Sequence, residues 1–219
     1  MKVPFYKRWL SYLYPIILEA REGAHNPYLE VAISRGRFQL NTENAIYSFG
    51  DLYLNFFKTF QQLPLDKMNV QDVLILGFGL GSIPEMLEKN FKKNYRYTGV
   101  EIDEEVIDLA HHYVVQHLKS PIQLVCADAE IFAATCSQTF DLLCIDIFLD
   151  DVIPSSFEQV DFLVNVNRLL SSNGYLIINR LAFTKENREA NKIFLKTFLQ
   201  VFPNGRYLDL KDNWMFINH

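Results

Sequence analysis

The sequence is short of several things, and each shortage removes a class of protein. It has three cysteines (Cys126, Cys136, Cys144), an odd number with no Cys-x-x-Cys spacing, so neither a disulfide framework nor a paired-thiol zinc site is indicated. Two of them fall in apolar, strand-like runs, and buried thiols in a reducing compartment are expected. There is no long run of lysine or arginine, and the formal net charge is -5. A surface that tracks a phosphate backbone is therefore not expected, and nucleic acid is not the expected partner. No uncharged apolar stretch reaches the ~18 residues that a membrane span needs. Repeats, low-complexity tracts and Pro/Gly/Ser-rich linkers are also missing.

The start, MKVPFYKRWLSYLYPIILEA, places Lys2, Lys7 and Arg8 before a mostly apolar run. No small-x-small cleavage site follows and Pro15 interrupts the run, so a docking N-terminal helix is expected in place of a secretory signal. The aromatic residues of the N-terminal third (Phe5, Tyr6, Trp9, Tyr12, Tyr14, Phe56, Phe57, Phe60) are read as packing over the core. A cytoplasmic protein without membrane attachment is the expectation.

What is present is an ordinary globular composition: 219 residues, 49% apolar and 21% charged, enough for one full domain with a small appendage. Before about residue 70, YLEVAISRGRFQLNT alternates apolar and polar residues on either side of Arg35-Gly36, as a hairpin would. A short strand near AIYSF and a helix near DLYLNFFKTFQQL complete a small leader, residues 1–68. From residue 69 to 219 the pattern changes to uniformly apolar runs (VLILG, YRYTGVEI, IQLVCA, DLLCIDI, YLIIN) separated by amphipathic stretches. Such strands are covered on both faces, which predicts a doubly wound α/β sheet. RYLDL and WMFIN are joined by a polar turn without a helix, so one antiparallel strand closes an otherwise parallel sheet.

The first of these strands runs into LILGFGLGSIPEML, where Gly77, Gly79 and Gly81 fall within five residues. Glycines there let the chain turn tightly and let a ligand approach the backbone at a helix start. Ser82 and Glu85 are spaced as a capping box with Pro84 in the first turn. A dinucleotide loop would carry glycine where Ser82 stands, and no Gly-Lys-Ser/Thr follows, so neither a pyrophosphate fingerprint nor a P-loop is read. Glu101, twenty residues after Gly81, ends the second strand, where an acid can accept both hydroxyls of a ribose. Asp103 caps the next helix. Asp128, ending the third strand, can accept an exocyclic amine, cap its helix, or both. A glycine turn and two strand-end acids describe an adenosine whose tail bears no pyrophosphate, as in S-adenosylmethionine.

The fourth strand ends in FDLLCIDIFLDDVIP, with Asp146, Asp150 and Asp151. Asp146 directly ends the apolar run, while the two later acids read either as attraction for a cation or as a solvated loop. The segment IINRL offers Asn179 and Arg180 but no acid to complete a magnesium site, so no metal is expected. His111, His112 and His117 point in different directions at about 100° per residue and read as surface.

VLILGFGLGS, GVEID, VCADA, FDLLCIDIF and LLSSNGYLIIN together resemble the spermidine synthase-like branch of the class I S-adenosylmethionine-dependent methyltransferases, from about residue 28 to the end. The resemblance implies a Rossmann-like seven-stranded sheet of order 3-2-1-4-5-7-6 with its last strand antiparallel, preceded by a short β segment like GRFQLNTENAIYSF. It implies cofactor contacts from Gly77, Phe78, Gly79, Gly81, Glu101, Ile102, Asp128, Ala129 and Gln39. It also implies Asp146 as the base, with Tyr47 and Asp150 beside it at the catalytic centre. The cofactor would be S-adenosylmethionine or its decarboxylated form, the acceptor a small, amine-bearing molecule, and the assembly a homodimer. Two departures stand out: Leu80 replaces the acid that aminopropyltransferases carry in the glycine loop, and DIFLDD replaces Asp-Ser-Ser-Asp-Pro. Methyl transfer is therefore the leading expectation, with aminopropyl transfer of the polyamine-forming kind and a non-catalytic nucleoside-binding domain as alternatives.

Overall fold

The computed structural model describes residues 3–43, 45–149 and 152–219. At the N-terminus the chain departs from the docking helix. Only Phe5–Leu10 (α1) is helical, and Pro15 leads instead into a strand, Ile16–Arg21 (β1). Proline lacks the N–H that would continue a helix, and the β-branched pair Ile16-Ile17 favours extended backbone. The early aromatics are not core: Phe5 is 84% exposed and Trp9 64%, and Tyr6, Tyr12 and Tyr14 are exposed with them.

The predicted hairpin is Leu29–Ser34 (β2) and Arg37–Asn41 (β3), followed by Ile46–Ser48 (β4). Arg35 and Gly36 both take positive φ, as the twist of a two-residue hairpin turn requires. The Ser11 side chain and carbonyl accept from the amides of Gly36 and Arg35, at 2.9 and 2.8 Å, and so pin the N-terminal segment to this turn. These strands form one antiparallel sheet in the order β1-β2-β3-β4. Helix α2 (Leu54–Gln62) then turns Phe56 and Phe60 into the interior.

The larger sheet is built from Asp72–Leu76 (β5), helix Ser82–Lys89 (α3), Arg96–Glu101 (β6), helix Glu104–Tyr113 (α4), Ile122–Cys126 (β7), helix Ala129–Thr135 (α5) and Phe140–Ile145 (β8). Helix Val160–Arg168 (α6), strand Leu170–Leu181 (β9), helix Lys185–Val201 (α7) and the strands Arg206–Asp209 (β10) and Asn213–Ile217 (β11) complete it. Its order is β10-β11-β9-β8-β5-β6-β7, with β11 antiparallel to β9 and β10 antiparallel to β11. Counted within this sheet, that is the expected order 3-2-1-4-5-7-6. Alternate residues of each strand enter opposite cores. Val73 and Ile75 join the leader, α2, α3 and α4, whereas Leu74 and Leu76 join α5, α6 and α7.

Two local expectations fail. Gly81, in the left-handed region, occupies the N-cap position of α3, so Ser82 lies inside the first turn and forms no capping box. Its buried hydroxyl instead bonds to Ser48 Oγ at 2.6 Å and accepts from the Phe49 amide at 2.9 Å, tying the leader to the glycine loop. Glu85 pairs with Lys89. Of the cysteines only Cys144 is buried, because β7 is an edge strand and leaves Cys126 exposed.

Candidate active site

In a parallel sheet the strands deliver their carboxyl ends to one edge, and ligands collect where neighbouring connections diverge to opposite faces. Here β5 and β8 are those neighbours. Gly77 follows β5 with φ 82°, and a Cβ on it would lie 2.2 Å from the Asp146 carbonyl oxygen. Only glycine lets the two strand ends approach this closely. The Asp146 amide donates to the Leu76 carbonyl at 2.8 Å, so the candidate base is fixed by the sheet itself and not by a loose loop.

A cavity of about 630 Å³ opens at this edge. Gly77 and Gly79 form part of its floor, and Glu101, Ile102, Asp128, Ala129 and Asp146 line it. The leader closes the other side with Ile46, Tyr47, Phe49 and Tyr53, and the segment after Asp146 adds Phe148, Leu149 and Phe157. Asp212 and Asn213 reach it from the terminal hairpin. Among the described residues the lining contains no lysine or arginine.

Each acid is held differently. Glu101 accepts from the Gly79 amide at 3.0 Å through one oxygen and from the Ile102 amide at 3.0 Å through the other. Burial nonetheless raises its carboxyl above the ordinary range, against those hydrogen bonds. Asp128 caps α5, its Oδ1 accepting from the amides of Glu130 and Ile131 at 2.7 and 3.0 Å. Asp146 Oδ1 accepts from Asn179 Nδ2 at 2.8 Å and from the Tyr53 hydroxyl at 3.2 Å. Burial pushes its carboxyl up to about 7, and the nearby Glu101 carboxylate adds to that while the two donors oppose it. A group half-protonated near neutrality can take a proton from a substrate.

Tyr47 lines the cavity with its hydroxyl 3.0 Å from Asn26 Oδ1 and 3.2 Å from the Phe148 carbonyl, bracing the segment after Asp146. Three predicted contacts lie elsewhere. Gln39 is buried in the small sheet with Nε2 on Asn41 Oδ1 at 2.6 Å, away from the cavity lining. The Phe78 ring is buried beneath the loop against Gly81 and Gly99, which makes it and Gly81 supports of the loop and not part of the lining. Leu80 is buried in the core. Asp150, with Asp151, lies outside the described residues. Tyr53, Asn179 and Asn213 were not singled out as contacts. Asn179 ends the apolar run of β9 and carried that much signal, while Tyr53 arrives from the leader and carried none. Among the described residues no group of three or more His, Cys, Asp or Glu side chains is arranged to hold a metal, and no helix is long and apolar enough to cross a membrane.

Residues 74–178 match the family described as "Methyltransferase domain". A probable polyamine aminopropyl transferase of Bifidobacterium longum is 28% identical over 140 residues, covering 64% of this chain and 31% of that protein. A polyamine aminopropyltransferase of Vibrio vulnificus is 29% identical over 116 residues, covering 52% and 38%. The matched segment thus spans only about a third of the length of these curated relatives. Among solved structures, a probable spermidine synthase from Corynebacterium glutamicum superposes with a TM-score of 0.75 at 18% identity, covering 92% of this chain and 79% of that one. The architecture is therefore the S-adenosylmethionine-binding, Rossmann-like fold of the class I methyltransferases. In fold and in sequence the chain is thus similar to the spermidine synthase-like branch of that superfamily.

Proposed function

We propose that the protein is a transferase that takes an S-adenosylmethionine-type sulfonium as donor and an amine as acceptor, and that the group moved is aminopropyl. The observation that carries this reading is the charge of the cavity. Four carboxylates, Glu101, Asp128, Asp146 and Asp212, line it with no lysine or arginine beside them among the described residues. Such a wall favours an ammonium acceptor and a donor without its own carboxylate, which is the decarboxylated form. The aminopropyltransferase names of the two curated relatives support the same choice over the methyl transfer expected from sequence.

Bound, the sulfonium supplies a carbon already activated for displacement, so the chain has to position the acceptor and remove its proton. In this reading the glycines at 77 and 79 admit the donor to the backbone, Glu101 takes the ribose hydroxyls and Asp128 the adenine amine. Ile102 and Ala129 would flank the ring. Asp146 receives the acceptor's proton. Activity should therefore climb as pH rises through the range where Asp146 ionises, and a bound cation would draw that range downward. Methyl transfer remains as a second reading for one reason: Leu80 stands where aminopropyltransferases carry an acid, and its side chain is in the core, so the loop offers no carboxylate to a donor ammonium.

Calorimetry with S-adenosylmethionine and with its decarboxylated form, followed by mass analysis of products from a diamine panel, decides between them. Tighter binding of the decarboxylated donor and an aminopropylated product are expected. Preference for the parent donor with a methylated product would transfer the conclusion to the second reading. Absence of binding by either would leave a non-catalytic domain.

A further inference from the structure

Asn213 and Asn179 meet across neighbouring antiparallel strands. Asn213 is paired with Leu181 and Met215 with Asn179, which makes the two asparagines diagonal neighbours on one face of the sheet. Asn213 Nδ2 donates to Asn179 Oδ1 at 2.9 Å, and Asn179 Nδ2 donates in turn to Asp146 Oδ1 at 2.8 Å. The Tyr53 hydroxyl donates to that same oxygen. An amide offers an acceptor at one end and donors at the other, in nearly the same shape, so the group at its far end decides which one faces Asp146. Asn179 is only 2% exposed, and solvent cannot substitute for a missing partner there.

We propose that Asn179 and Asn213 are positioning residues: a two-amide relay, anchored in the terminal hairpin, that occupies Asp146 Oδ1 and leaves Oδ2 as the oxygen that receives the acceptor's proton. The chemistry rests on the transferase reading above; the geometry does not. Without the donor from Asn213, Asn179 is free to turn its own oxygen toward Asp146, which disfavours the ionised carboxylate. The other groups that face Asp146 stay as they are: Tyr53 before α2, Glu101 at the end of β6, Cys144 on β8, and Asp128, Asp212 and His25 on the remaining walls.

The test is Asn213→Leu, which keeps the bulk and removes the donor, with Asn213→Ala in its place if the leucine variant does not fold. Two readouts are followed: the carboxyl ¹³C shift of Asp146 against pH in the protein without donor, and the pH–rate profile. The titration midpoint should move upward by about one pH unit. Turnover at pH 7 should fall roughly 5- to 10-fold and recover toward pH 9, with donor affinity unchanged. A midpoint that stays where it is in the folded variant overturns the relay. If the wild-type protein transfers nothing, the transferase reading has failed, while the carboxyl titration still decides the relay.

Discussion

At the scale of single residues, the balance at Asp146 is set by burial working against two donors. Its carboxyl is held up at about 7, whereas an unfolded aspartate titrates near ~4. The folded chain thus holds this proton more tightly than the unfolded chain does, and the protein loses stability as pH rises from the ordinary carboxylate range through 7. Asp146→Asn removes that dependence. Its melting temperature should match the wild type near pH 3 and exceed it by at least ~3 °C at pH 8. The same variant should lose about 100-fold or more in turnover while its donor affinity stays within a few fold. Equal melting curves at pH 8 would mean that Asp146 is not protonated near neutrality in the folded state, and undiminished turnover would remove it as the base.

Among elements, strand β9 does more than its short apolar signature advertises. It runs over twelve residues, and its consecutive Asn179 and Arg180 point to opposite faces of the sheet. Asn179 reaches Asp146 at the cavity, while the buried Arg180 reaches Glu158 at 2.5 Å and lies over the Phe194 ring. The β5–α3 turn is the matching element on the donor side. Gly77→Ala would introduce a Cβ at 2.2 Å from a backbone oxygen, at a φ that side chains rarely adopt. The loop and residue 146 must then part. Donor affinity should fall at least about 10-fold with a stability loss of ~2 kcal/mol or more, read by calorimetry and denaturant unfolding. A glycine-like affinity in the alanine variant would show that the two strand ends need not touch.

On the scale of the whole molecule, the leader and the large sheet do not have separate interiors. Leu29, Val31, Leu40, Phe56 and Phe60 of the leader lie in the same cluster as Val73, Ile75 and Cys144 of the sheet. We therefore expect one cooperative unfolding transition, with far-ultraviolet and near-ultraviolet signals superimposing. Phe56→Ala should lower the stability of the whole by about 3–5 kcal/mol. Two separated transitions, or a variant that melts the leader alone, would contradict a shared core.

The sequence by itself determined the doubly wound α/β class, the antiparallel terminal hairpin, the glycine turn and the strand-end acids Glu101, Asp128 and Asp146. All of these follow from local pattern: apolar runs too uniform for an exposed face, glycines where the backbone must turn, an acid just past each run. The same locality misled it where a residue's role depends on distant neighbours. Ser82 has the spacing of a cap, yet it answers to Ser48 on another sheet. Gln39 has the right residue type, yet its strand aims it at Asn41. The aromatic N-terminus has core composition, yet Ser11 pins it to the hairpin turn with its rings outward. Only the tertiary structure decided that Tyr53, Asn179 and Asn213 converge on Asp146. Partners separated by 93, 33 and 34 residues along the chain leave no periodicity to read, because the sheet and not the sequence spacing brings them together.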